Sequence, residues 1–87
     1  MCTYATETLT VVGSAKGRSE WFGVDQAVVY FDHPVHAPAE HTLNIDFWAL
    51  DQGPSARVAV ELSAGSARAL VAAIDAALAS ATAGMTS

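Results

Sequence analysis

The residues best suited to chemistry lie in one short stretch. His33, His36 and His41 are all the histidines of this 87-residue chain, and they fall within "DHPVHAPAEH", residues 32–41. Imidazole is a common ligand for Zn, Fe, Ni and Cu, and the spacing H-x2-H-x4-H is short enough for three rings to converge on one divalent transition metal. Three ligands with an open position would make a catalytic centre rather than a closed structural one. Glu40 is placed to be a fourth ligand or a general base, and Asp32 or Asp46 could orient an imidazole through its second ring nitrogen. Cys2, the single cysteine, becomes a further ligand if the first strand starts beside this loop. It cannot form an internal disulfide.

The metal expected here would act as a Lewis acid or activate water, with Glu40 or Asp46 moving protons, for a lyase, isomerase or cyclase step on a small molecule. The same residues support two other readings. One is a metal-free small-molecule binder or acid/base enzyme, in which a histidine and Asp46 work beside Trp48. The other is a non-catalytic dimeric interaction module whose loop meets a protein partner. Pro34 and Pro38 each fix their own φ and push the preceding residue into extended backbone. Convergence of all three imidazoles therefore requires a turn at "VHAP" or "PAEH", or a metal shared across a dimer.

The elements that must position this loop are legible as periodicity. "YATETLTVVG" alternates and is rich in threonine and valine, which predicts a first strand. "GSAKGRSE" has the composition of a turn, with two glycines and two cations; it does not match G-x-x-x-x-G-K-[ST] and is expected to be a hairpin connection. "VDQAVVYF" is apolar on both faces and predicts a central strand. "HTLNIDFWAL" sends Leu43, Ile45 and Phe47 one way and Asn44, Asp46 and Trp48 the other. After the turn signal "DQGPS", "ARVAVEL" alternates again and predicts a fourth strand.

From Ser63 as N-cap, the spacing of Ala67, Leu70, Val71, Ile74, Ala77 and Leu78 predicts a helix with one apolar stripe. The expected fold is α+β: one domain over residues 1–87, a four-stranded, mostly antiparallel sheet in the order ββββα, with the C-terminal helix on one face. The other face would carry Asn44, Asp46, Trp48, Arg57 and Glu61. A homodimer joined through that face, or edge to edge through the sheet, is the expected assembly.

Composition narrows the partners. The net charge is −5, and Lys16, Arg18, Arg57 and Arg68 are the only fixed cations, so there is no basic stripe for nucleic acid or an anionic membrane. No window approaches the roughly 18 apolar residues of a membrane span, and the first residues lack a basic region followed by an apolar one. A cytoplasmic location is expected. At 9.0 kDa the chain is near the size at which one core gives little net stability.

With "MCT", "GSAKG", "DHPVHAPAEHTLNIDF" and "ARVAVELSAGSARALVAAI", the chain resembles, over nearly its whole length, a family of small actinobacterial proteins known only as a domain of unknown function. The resemblance implies no activity, fold or ligand. Its one association is with biosynthetic pathways, where small stand-alone proteins of this kind sometimes occur.

Overall fold

The computed structural model describes residues 5–36, 38–52, 56–81 and 83–85. Four strands, β1 (Thr6–Lys16), β2 (Trp21–Asp32), β3 (Thr42–Trp48) and β4 (Arg57–Leu62), are followed by the helix α1 (Ala64–Ala79). The strands form one antiparallel sheet in sequence order, β1-β2-β3-β4. This is the expected ββββα arrangement of an α+β fold. Among the described residues no helix is long and apolar enough to cross a membrane.

The first hairpin departs from the sequence reading. "GSAK" is strand rather than turn: Gly13–Lys16 pair with Val24–Trp21, and only Gly17–Glu20 form the connection. The register shifts between Thr10 and Gly13, so that Val11 and Val12 together oppose Asp25. An extra residue of this kind bends a strand while letting pairing resume beyond it. The turn is closed by the Gly17 amide donating to the Glu20 carbonyl at 2.8 Å. A Cβ at position 17 would come within 3.2 Å of both that carbonyl oxygen and the Phe22 ring, so a glycine fits where the chain crowds itself.

Helix α1 starts where its cap predicts. The Ser63 hydroxyl accepts from the Ser66 amide at 3.1 Å, satisfying one of the amides that a helix start leaves without a partner. Such a cap stabilises a helix by about 1 kcal/mol.

Side-chain parity through the sheet defines two faces. Val29, Ile45 and Val60 sit in register across β2, β3 and β4, as do Phe31, Leu43 and Leu62; these rows lie on the face that carries α1. The opposite face holds the rows Tyr30–Asn44–Glu61, Val28–Asp46–Ala59 and Gln26–Trp48–Arg57. The deeper burial is on this second face. Thr42, Asn44 and Asp46 are only 2%, 4% and 7% exposed, whereas Leu43, Ile45 and Phe47 are half-buried. Alternation alone predicts the reverse.

Candidate functional site

Asp46 sits at the centre of the polar face, and its two carboxylate oxygens have separate partners. The Arg57 guanidinium donates to Oδ1 at 3.0 Å, and the Tyr30 hydroxyl donates to Oδ2 at 3.3 Å. Both partners reach Asp46 diagonally, from the position two residues along the neighbouring strand, a span that long side chains can cover. Arg57 also lies over the ring of its directly paired neighbour Trp48, with the guanidinium carbon 5.0 Å from the ring centre. The aromatic face and the carboxylate thus hold one cation in a fixed direction.

Beside this group the Thr42 hydroxyl donates to Asn44 Oδ1 at 2.6 Å. With that oxygen occupied, the amide nitrogen is the end of Asn44 able to donate to a ligand.

Glu61 closes the end of the face by holding the loop. Its carboxylate accepts from the Val35 amide at 2.6 Å and from the His36 amide at 3.2 and 3.3 Å. Val35 and His36 are thereby laid against the edge of a hollow of about 480 Å³, whose floor is Tyr30, Asn44, Asp46, Arg57 and Ala59. Its volume lies within the range of small-molecule sites. A second hollow, of about 580 Å³, lies at the first hairpin against Gln52 and Ala56, but no buried charged group lines it.

The clasp has a direct consequence. Glu61→Ala removes the acceptor of two amides, and we expect the Val35 and His36 amides to exchange with solvent about tenfold faster while those of β3 stay protected. Hydrogen-exchange mass spectrometry or NMR checks this; unchanged exchange at both amides would show that the loop is held by other contacts.

The loop does not gather the three histidines. His33 and His41 lie face to face, with ring centres 4.6 Å apart and planes tilted by 29°, and His41 stacks in turn on Phe31 at 5.7 Å. His33 Nδ1 is 2.9 Å from the Glu40 carbonyl oxygen, to which its N–H donates in that tautomer. His36 instead lines the hollow on the polar face. A metal lies in the plane of each imidazole that binds it, at about 2 Å from the nitrogen, and two rings stacked with so small a tilt do not share such a point. Among the described residues no group of three or more His, Cys, Asp or Glu is arranged to hold a metal ion. The Glu40 residue is exposed and does not line the hollow. Cys2 lies outside the described residues.

Asp46 is therefore the candidate that the fold places in a site, with His36 and Trp48 near it. Tyr30 was not visible from residue type. The signal that could have found it is parity: Tyr30 shares its face of β2 with the residue paired to Asp46.

Burial raises the pKa of Tyr30 above its ordinary value near 10, and the neighbouring Asp46 charge and hydrogen bond add to the shift. The phenol thus stays a donor at neutral pH. Because the folded state holds this proton more tightly than the unfolded chain, the associated stability is full below about pH 10 and is lost as pH rises through the folded value. In a Tyr4→Phe variant, where Tyr30 is the remaining phenol, the ultraviolet phenolate transition should lie above pH 10. A midpoint at or below 10 would contradict the partly buried hydrogen bond to Asp46.

No curated protein and no solved structure matches the chain. A sequence profile does match, over residues 1–87, and it is that of a family of unknown function, DUF6295. The chain belongs to the DUF6295 family.

Proposed function

We propose that this protein binds a small polar molecule in the hollow on the polar sheet face, without a metal in that site. The observation that carries this reading is the nearly buried Asp46 carboxylate, fixed by Arg57 and Tyr30 on the floor of a hollow bordered by the clasped Val35–His36 segment. Buried charge is costly to a small fold, and a hydrogen-bonded carboxylate that aims an arginine beside an aromatic ring is a recognition arrangement.

The chemistry of the floor narrows the ligand. Arg57 is offset by Asp46, and Glu61 keeps its negative charge while accepting from the loop amides, so the hollow has no surplus positive charge for a phosphate. The Asn44 amide and the remaining Arg57 N–H groups supply donors, while the Tyr30 ring, also in the lining, supplies an aromatic surface. A neutral molecule with hydrogen-bond acceptors and a flat apolar portion fits best. If a reaction follows, His36 is the ionisable side chain of the hollow not tied to a partner strand, and it would exchange the proton.

The test is an NMR titration of isotope-labelled protein with a library of small neutral heteroaromatic compounds. Binders should move the amides of Tyr30, Asn44, Asp46 and Glu61 together. The exposed Ala59 on β4 forms part of the floor directly across from Asp46, so Ala59→Phe fills the hollow while every charged residue of the site is kept. Binding that persists in Ala59→Phe, or shifts confined to other surfaces, would rule the site out.

A further inference from the structure

We propose that the apolar face formed by α1 and the sheet beneath it is the contact surface for a second copy of this chain. This face lies opposite the polar hollow and is independent of any ligand there.

The helix barely covers the sheet. Its first turns lie beside β3 and β4, and Ala64 and Ala67 border a shallow hollow against Phe31 and Leu43. Further along, an apolar cleft of about 290 Å³ separates Leu70, Val71 and Ile74 from Val29, Leu43 and Ile45. The large residues of the stripe remain exposed, from 41% at Leu70 to 61% at Val71, with Ile74 and Leu78 between. Leu9 and Val60, on the same sheet face, are exposed too. The buried apolar residues among those described are Val24, Ala27, Ala49 and Ala56, three of them alanines. A stripe that evolved only to sit on this sheet would be the most buried part of the helix.

The exposed area of the whole chain leaves room for such a contact. The chain exposes 6417 Å². A compact monomer of 9.0 kDa exposes roughly 4,900 Å², leaving an excess of about 1,500 Å². The radius of gyration, 14.5 Å, likewise exceeds the roughly 12 Å of a compact chain of this length. Two copies that each cover such an excess would bury about 3,000 Å² in total, which is the range of obligate homodimers.

Charge placement favours a second copy as the occupant. Arg68 and Asp75 are the only charged residues of α1. They stand seven residues apart on one flank of the helix, next to Val71. An antiparallel, two-fold pairing of α1 with its copy, centred near Val71 and Ala72, sets each Arg68 opposite an Asp75 of the other helix. An isologous contact needs this kind of self-complementarity. Ala72, Ala76 and Ala79 add no bulk to hinder close approach.

Sedimentation equilibrium of the full chain over a wide concentration range tests the proposal. Wild type should be a dimer. Arg68→Asp and Asp75→Arg should each weaken it about tenfold or more, whereas the double swap Arg68→Asp/Asp75→Arg should return it to near the wild-type constant. Ile74→Lys should dissociate it, with circular dichroism checking the fold. Since Arg68 and Asp75 are exposed, the charge swaps remain informative if Ile74→Lys fails to fold. A wild type that stays monomeric at all concentrations overturns the proposal. So does a dimer indifferent to the charge swaps, which would point to the sheet edges or the polar face instead.

Discussion

Replacing Arg57 by Met should cost about 2 kcal/mol of folding stability at neutral pH, most of it because a charge is left behind rather than because a contact is lost. Removing one partner of a buried ion pair costs about 3–5 kcal/mol when both are enclosed, and the figure is reduced here because water can reach the Arg57 side. The Arg57 side chain is 39% exposed, while that of Asp46 is 9% exposed. Methionine keeps much of the stem that lies against Trp48, so the packing loss is modest. Asp46 would keep the Tyr30 hydroxyl as a partner, at 3.3 Å.

The cycle that separates charge from packing adds Asp46→Asn to the Arg57→Met background. Asparagine removes the charge and keeps the shape, so the double variant should recover more than half of the lost stability. Urea denaturation at one fixed protein concentration measures all four states, the fixed concentration being needed because association adds to apparent stability. If Asp46→Asn costs the same in both backgrounds, the two residues are not coupled and the central ion pair does not organise this face. In the proposed function, Arg57→Met should also abolish ligand binding while Val35 and His36 stay clasped to Glu61.

The second large effect is expected at Thr42, the most deeply buried polar side chain described. Its hydroxyl donates to Asn44 Oδ1 at 2.6 Å, and Asn44 is itself buried. Thr42→Val keeps the volume and leaves that oxygen without its donor, which costs about 2 kcal/mol by the penalty for an unmade buried hydrogen bond. Thr42→Ser keeps the donor and deletes one methyl group, at about 1 kcal/mol. The ordering is the test: valine worse than serine means the hydrogen bond matters more than the methyl contact, and the opposite order means that this pair is filled space. Asn44 is freed to turn in the valine variant, so ligand affinity should fall along with stability.

Both effects arise on the polar face because the small chain has placed its scarce burial there. The row of β3 that looks outward-facing by composition is covered by the Val35–His36 segment, by the Arg57 and Trp48 side chains, and by Tyr30. The row that looks like core lies under a helix which touches the sheet mainly at its first turns. A second copy on α1 would reconcile the two, since the apolar stripe would then be buried between subunits.

What the sequence by itself determined is what depends on neighbours along the chain. The alternation of Leu43, Ile45 and Phe47 with Asn44, Asp46 and Trp48 was enough to place β3 and its two faces, because side chains in a strand repeat every second residue. The stripe from Ala67 to Leu78, with Ser63 before it, was enough for α1 and its cap. The first hairpin was only half legible: glycine, serine and lysine have weak strand preference, and "GSAK" pairs because Trp21–Val24 lie beside it after the bulge. Closeness in sequence could not fix where the imidazoles point. The turn of the loop stacks His33 on His41, while Glu61, a residue 25 positions from His36, draws that histidine's amide to the polar face. Nor could residue type show that Asp46, Tyr30 and Arg57 meet, since that depends on the register of three strands, or that the polar face is the buried one, since that depends on what finally covers each side of the sheet.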